Sequence, residues 1–276
     1  MPTTSESASS ALRGPAIHEQ WESVYRNPSS ERLYELVFDW IAKHGDVPLG
    51  SRWLDIGCGI GQHAMRLQRR GYRVVAADFS PDRVRAATAH IRQMGLGNEI
   101  PVQREDLVAG LSFPAASFDA VLCWGVLMHI PMLETAMEEL MRVTRPGGKL
   151  FICEGNLYGI DAMISRLASL ARCALGQSHY RKIVMGSYGR EYWLPTDGGE
   201  IVIRHTRMPA MRRFFEEHGC RLKARICGEF TEWYSPGGAL GWTLHHWNEA
   251  WFRATTSPYF AHGNLLVFEK LNNPRL

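Results

Sequence analysis

A chain of 276 residues, 45% hydrophobic and 21% charged, is long enough to bury a substantial core and too apolar to be disordered along its length. The net charge is only +3, the arginines are dispersed and no run of five basic residues occurs, a pattern that argues against a nucleic-acid binder. Six cysteines (Cys58, Cys123, Cys153, Cys173, Cys220 and Cys227) include no Cys-x-x-Cys pair. That argues against a zinc site or dithiol centre and fits a reducing, cytoplasmic setting.

Residues 1–15 are Ser/Thr-rich, lack the apolar core of a signal peptide, and read as a disordered leader. Helices are expected at 17–26 and 31–44, the second with Leu33, Leu36, Val37, Trp40 and Ile41 on one face. A strand at 52–57 runs into a glycine-rich turn, then a helix at 61–70 and a buried strand at 72–78. Ser80-Pro81 starts a helix that Gly95 stops. Strands follow at 100–103 and 117–124, a helix at 131–144, an Arg145-Pro146-Gly147-Gly148 turn and a strand at 149–154. Apolar strands alternating with helices imply a doubly wound α/β fold, whose crevice lies beyond the carboxyl ends of the strands.

After Glu154 the alternation breaks. A helical stretch at 160–175 precedes an irregular, glycine-containing aromatic segment up to 206, which reads as an inserted cap. Helix and strand resume at 208–218 and 220–231, and 263–270 is the last strand. No segment approaches the roughly 20 apolar residues needed to span a bilayer, and no metal-ligand spacing is present.

The strongest chemical signal is Asp55-Ile56-Gly57-Cys58-Gly59-Ile60-Gly61. Glycines after a first strand let the backbone approach a ligand closely, and the helix that follows offers its N-terminus to polar groups. Asp78, ending the second strand, supplies a carboxylate suited to ribose hydroxyls. A dinucleotide site would read Gly-x-Gly-x-x-Gly; here the third glycine comes one residue too soon.

These residues resemble the class I S-adenosylmethionine (SAM)-dependent methyltransferases, especially the small-molecule group called type 11. The resemblance covers roughly residues 50–155 and the last strand, and also rests on Asp78-Phe79-Ser80, Glu105-Asp106-Leu107, Phe118-Asp119-Ala120-Val121 and Arg145-Pro146-Gly147-Gly148. It implies a Rossmann-like, mostly parallel seven-stranded sheet. It also implies Asp55, Gly57, Gly59 and Gly61 at the methionine end of SAM, Asp78 on the ribose, and Phe79, Asp106 and Leu107 on the adenine side. The organisation expected is a leader at 1–15, lid helices at 16–49 with Trp21 and Tyr25, a SAM-binding core at 50–155, a substrate cap at 156–206 and a C-terminal part at 207–276.

The sulfonium of SAM activates its methyl, so the protein mainly aligns the acceptor and excludes water. The expected activity is in-line methyl transfer to oxygen or nitrogen of a small molecule, with a homodimer as one possible assembly. An RNA or protein methyltransferase and a non-catalytic SAM-binding subunit are the alternatives. His129, just past the fourth strand, is the candidate base or positioning group, with His63 as a structural residue. Glu154 and Asn156 are read as facing the crevice, as substrate or cofactor candidates. An aromatic-rich tail, including Phe230, Trp233, Tyr234, Trp247 and Trp251, is expected to roof the acceptor pocket together with the cap.

Overall fold

The computed structural model describes residues 28–176, 180–196, 199–231 and 238–272. The leader, the expected helix at 17–26 with Trp21 and Tyr25, and Trp233 and Tyr234 lie outside the described residues. The first described helix, α1 (Pro28–His44), is followed by β1 (Arg52–Ile56), α2 (Gln62–Arg69), β2 (Arg73–Asp78), α3 (Pro81–Gln93), β3 (Val102–Arg104) and β4 (Phe118–Trp124). Then come a single 3-10 turn (Leu127–His129), α4 (Leu133–Val143) and β5 (Thr144–Gly155). The Arg145–Gly148 turn is looped out inside β5, between the pairs Phe118–Thr144 and Ala120–Lys149.

The central sheet has seven strands in the order β3-β2-β1-β4-β5-β10-β9, where β9 is Cys220–Cys227 and β10 is Gly263–Lys270. Strands β3, β2, β1, β4 and β5 pair in parallel, and β10 runs antiparallel to both neighbours. This is the doubly wound, mostly parallel fold that the strand–helix alternation predicts. Each face buries its own apolar cluster. Leu54, Ile56, Val121 and Ile152 pack toward α4 and toward α6 (Met208–Glu217), whereas Trp53, Leu122 and Phe151 pack toward α1 and α2. Strands buried on both sides read as continuous apolar runs, which is why they were legible. In register, Ile56 lies beside Ala77 and Cys123, so β1, β2 and β4 end level with one another.

The segment after β5 differs from the expected irregular stretch. Helix α5 (Ile160–Ala174) is followed by a three-stranded antiparallel meander of β6 (Lys182–Gly186), β7 (Gly189–Thr196) and β8 (Gly199–Thr206). Its alternation was hidden because one face carries Glu191 opposite Arg204, charges where an apolar pattern would need hydrophobic residues. Strand β9 also ends earlier than expected, at Cys227. Helix α7 (Gly238–Ala254) leans on α1 through an Arg32–Glu249 ion pair of 2.7 Å.

The meander is tied to the central sheet rather than merely tethered to it. Asn156 bridges Thr206, and the Leu157 N–H donates to the Thr206 carbonyl at 2.9 Å. The guanidinium of Arg204, only 2% exposed, donates to the Leu127 carbonyl at 2.9 Å and pairs with Glu191 at 2.8 Å. Removing a buried, hydrogen-bonded cation orphans both partners. Arg204→Ala should therefore cost about 3 kcal/mol, lowering the thermal midpoint by roughly 6 to 12 °C in a chain of this size. Arg212→Ala, which breaks an exposed helical pair with Glu216, should change stability by less than about 0.5 kcal/mol. Scanning calorimetry of the two variants checks both; equal midpoints would dissolve the claimed clamp.

Candidate functional site

The carboxyl ends of β1, β2 and β4 lie level, the place where a doubly wound sheet has its ligand crevice. The loop after β1 keeps Gly57, Gly59 and Gly61 at positive φ (73°, 57° and 81°). A Cβ on Gly57 would lie 2.2 Å from a Val126 methyl, so Gly57 is required for the β1 loop to meet the turn after β4. A Cβ on Gly59 would meet nothing within 4 Å, so this glycine faces open space. Gly61 caps α2, whose N-terminus faces the same side.

Two carboxylates organise this loop. Asp78 accepts from the Gly59 N–H at 3.0 Å through Oδ2 and from the Ser80 N–H at 2.9 Å through Oδ1. Burial pushes its pKa up to about 6, with those N–H donors drawing it back down. Asp55, 2% exposed, is pushed up to about 7 by burial; the Ala64 N–H lowers it and nearby Asp78 raises it. Its Oδ2 is buried without a hydrogen-bond partner. Two adjacent buried carboxylates, one with an idle oxygen, form a site that a cation or hydroxyl donor would complete.

The three residues expected on the adenine side take different settings. Phe79 is half-buried directly after β2. Asp106 is half-buried, and its Oδ1 accepts from the Val108 N–H at 2.8 Å, closing a local turn. The Leu107 side chain is 4% exposed and packs in the core, so it is not presented to the crevice.

The turn after β4 forms the other wall. Glu154 does not face outward as a ligand group: its carboxylate accepts from the N–H groups of Val126, Leu127 and Met128 at 3.2, 2.8 and 2.9 Å. Burial pushes it up to about 7, against the pull of these donors and of Arg204. Asn156 is likewise spoken for, donating to the Ala261 carbonyl at 3.1 Å and accepting from the Tyr158 N–H. His129 Nδ1 lies 2.9 Å from the Val202 carbonyl; a carbonyl can only accept, so Nδ1 carries the proton and Nε2 is the basic nitrogen.

His63 sits among aromatic rings. Its ring stacks on Phe38 at 5.0 Å and meets Tyr34 and Trp124 edgewise or tilted at 5.2 and 5.1 Å. Burial pushes its pKa well down, and Arg66 acts the same way. This aromatic wall, Arg204 and Glu191 escaped the sequence reading, because α1 and the meander meet the crevice only in three dimensions. Trp247 and Phe230 contact each other at 5.9 Å, and Phe230 and Trp251 at 4.6 Å, so part of the aromatic tail packs on itself. Among the described residues, no group of three His, Cys, Asp or Glu could hold a metal ion, and no helix is long and apolar enough to cross a membrane.

Residues 54–152 match a family model described as a methyltransferase domain. Over these residues the chain is similar to methyltransferase domains. Over 106 residues it is 39% identical to a ubiquinone biosynthesis O-methyltransferase of Xanthomonas axonopodis pv. citri, covering 38% of this chain and 43% of that one. Over 129 residues it is 33% identical to the methyltransferase GfsG of Streptomyces halstedii, covering 46% and 44%. The matched segments thus span about half the length of these curated relatives. Among solved structures, a SAM-dependent methyltransferase from Methanosarcina mazei superposes with a TM-score of 0.58 at 18% identity, covering 84% of this chain and 97% of that one. The [4+2]-cyclase SpnF superposes with a TM-score of 0.56 at 18% identity, covering 87% and 82%. At such identities the likeness concerns the fold.

The residues present fit the domain's cofactor: Asp55 holds an idle buried oxygen, and the open side of Gly59 leaves room where a side chain would intrude. Gly59→Ala should therefore keep the fold, at a cost of about 1 to 2 kcal/mol for a left-handed alanine, yet weaken SAM binding more than about tenfold. Gly57→Ala, with its 2.2 Å overlap, should instead destabilise the whole domain. Paired melting curves and SAM titrations separate the two; Gly59→Ala binding SAM like the parent would show that the open side is not the cofactor's.

Proposed function

We propose that this chain is a SAM-dependent methyltransferase acting on an oxygen or nitrogen atom of a small-molecule acceptor. The observation that carries the reading is the Asp55–glycine loop–Asp78 constellation at the level ends of β1 and β2, within the matched methyltransferase domain. SAM supplies, when bound, a methyl already activated on a cationic sulfur. The chain's own task is to hold, align and desolvate. Asp78 takes the ribose hydroxyls with the lone pairs left after its two backbone bonds, and Asp55 faces the cationic methionine end. Phe79 and Asp106 border the adenine.

The small-molecule class is supported by the name of the ubiquinone biosynthesis relatives and by the segment 156–206, whose meander closes on the turn after β4. In this reading residues 50–155 are the SAM-binding core and 156–206 the acceptor cap. His129 stands at their seam, with its Nδ1–H held by the Val202 carbonyl, which makes Nε2 the basic nitrogen of the ring. The test is transfer of labelled methyl from SAM into a metabolite extract: a labelled small product is expected, and label found only in protein or RNA would reject the small-molecule assignment.

SAM should bind with micromolar affinity and NAD should not. Asp78→Ala should weaken SAM by about 1.5 to 3 kcal/mol, the scale for losing hydrogen bonds to a charged group. The ligand is cationic and the carboxylates titrate at about 7 and about 6. It favours their ionised forms, so affinity should fall as pH drops from about 8 to about 5.5, with protons released on binding near neutrality. Calorimetry in buffers of different ionisation enthalpy measures that release; pH-independent affinity would remove both aspartates from the site.

A further inference from the structure

Trp124 ends β4 level with the glycine loop, because Ile56 and Cys123 are partners in register and Gly57 and Trp124 follow them. Leu122 pairs with Asp55, and Trp124 stands two residues further along its strand. Side chains alternate across a sheet, and Trp53 and Leu122 both pack on the face covered by α1 and α2. Asp55 and Trp124, each two residues on, therefore share that face as diagonal neighbours. Strands about 4.8 Å apart that rise about 3.3 Å per residue set their Cα atoms about 8 Å apart.

The indole is half-buried and held by rings of α1 and α2. Phe38 stacks along it at 5.9 Å and 26°, His63 leans on it at 5.1 Å, and Tyr34 meets it edgewise at 5.8 Å. The positive charge nearest these rings, Arg66, is met by Glu31 and Glu35, and burial keeps His63 neutral. Directly after the indole, Gly125 has a φ of 64°, and a Cβ there would meet nothing within 4 Å, as at Gly59. A π-face, a buried carboxylate and open space beside both adjoining backbones thus meet at one strand end. A cation fits these surroundings, and tryptophan is the ring whose face attracts one most strongly. Resting on the SAM reading above, we propose that the uncovered side of the Trp124 ring holds the cationic sulfur of SAM by a cation–π contact, beside Asp55. Trp124 is then a residue that tells SAM from its own product. Once the methyl has gone, the sulfur is a neutral thioether, the attraction to the ring is lost, and the demethylated nucleoside is held less tightly.

The experiment is calorimetric titration of the full chain with SAM and with S-adenosylhomocysteine, which share every group except the methyl and its positive charge. The parent is expected to bind SAM the more tightly. Trp124→Leu should weaken SAM about tenfold and leave S-adenosylhomocysteine within about twofold, so the preference narrows by about 1 kcal/mol. Trp124→Phe, which keeps a ring of weaker face potential, should lie between the two. An analogue carrying a protonated amine in place of the methylated sulfur should follow SAM across all three proteins. Melting midpoints accompany the titrations; if Trp124→Leu does not fold, the ratio measured on Trp124→Phe decides, since that variant retains an aromatic ring against Phe38. Equal losses for SAM and S-adenosylhomocysteine would show that the indole only packs, overturning this proposal while leaving the SAM reading intact. A parent that binds neither nucleoside overturns both.

Discussion

The carboxylate of Glu154 gathers three successive backbone N–H groups, those of Val126, Leu127 and Met128, at the end of β5. Everything around the crevice leans on the turn so held. Val126 fills the space that Gly57 leaves free, which sets the height of the glycine loop. The Leu127 carbonyl receives Arg204, and His129 is fixed against Val202, which together lock the meander onto the sheet. Burying this acid is costly: its pKa rises to about 7 although three donors and a nearby cation oppose the rise, so desolvation outweighs them. Such a cost persists in a fold where the geometry it enforces is needed elsewhere, and here it joins the glycine loop to the meander.

A second electrostatic seam runs along the opposite face of the sheet. Arg66, 3% exposed at its side chain, pairs with Glu31 and with Glu35 of α1 at 3.1 Å, and Arg70 reaches Glu35 and Asp39 at 2.7 and 2.6 Å. The two guanidiniums also lie over aromatic rings of α1, Arg66 over Tyr34 at 5.0 Å and Arg70 over Phe38 at 5.9 Å. Planar cations stacked on rings and forked onto carboxylates orient α1 against α2 more sharply than apolar packing alone. The orientation matters because Tyr34 and Phe38 close the aromatic wall on which Trp124 rests at 5.8 and 5.9 Å.

The same scaffold carries a methyltransferase from Methanosarcina mazei and a [4+2]-cyclase. A doubly wound sheet therefore positions a crevice without naming the reaction done there, and the functional argument has to come from the site. In this chain the distinguishing features are two buried carboxylates at raised pKa, a glycine with an open side, and a histidine whose tautomer is set by a carbonyl of the meander.

What the sequence by itself determined is the part governed by local rules. Apolar strands buried on both faces, Ser80-Pro81 as a helix start, and glycines at positive φ after β1 are written in runs of a few residues. They sufficed for the parallel core, the crevice and the Asp55–Asp78 loop. Tertiary structure decided what depends on partners far apart in the chain. Glu154 became a clamp on residues 26 to 28 positions earlier, and Asn156 a support for the loop before β10. Leu107 turned into the core, and the meander formed around Glu191 and Arg204, whose charges erase the two-residue hydrophobic period by which strands are recognised. Buried charges satisfied at long range leave no local signature, because the sequence records the residue but not the distant group that makes its burial tolerable.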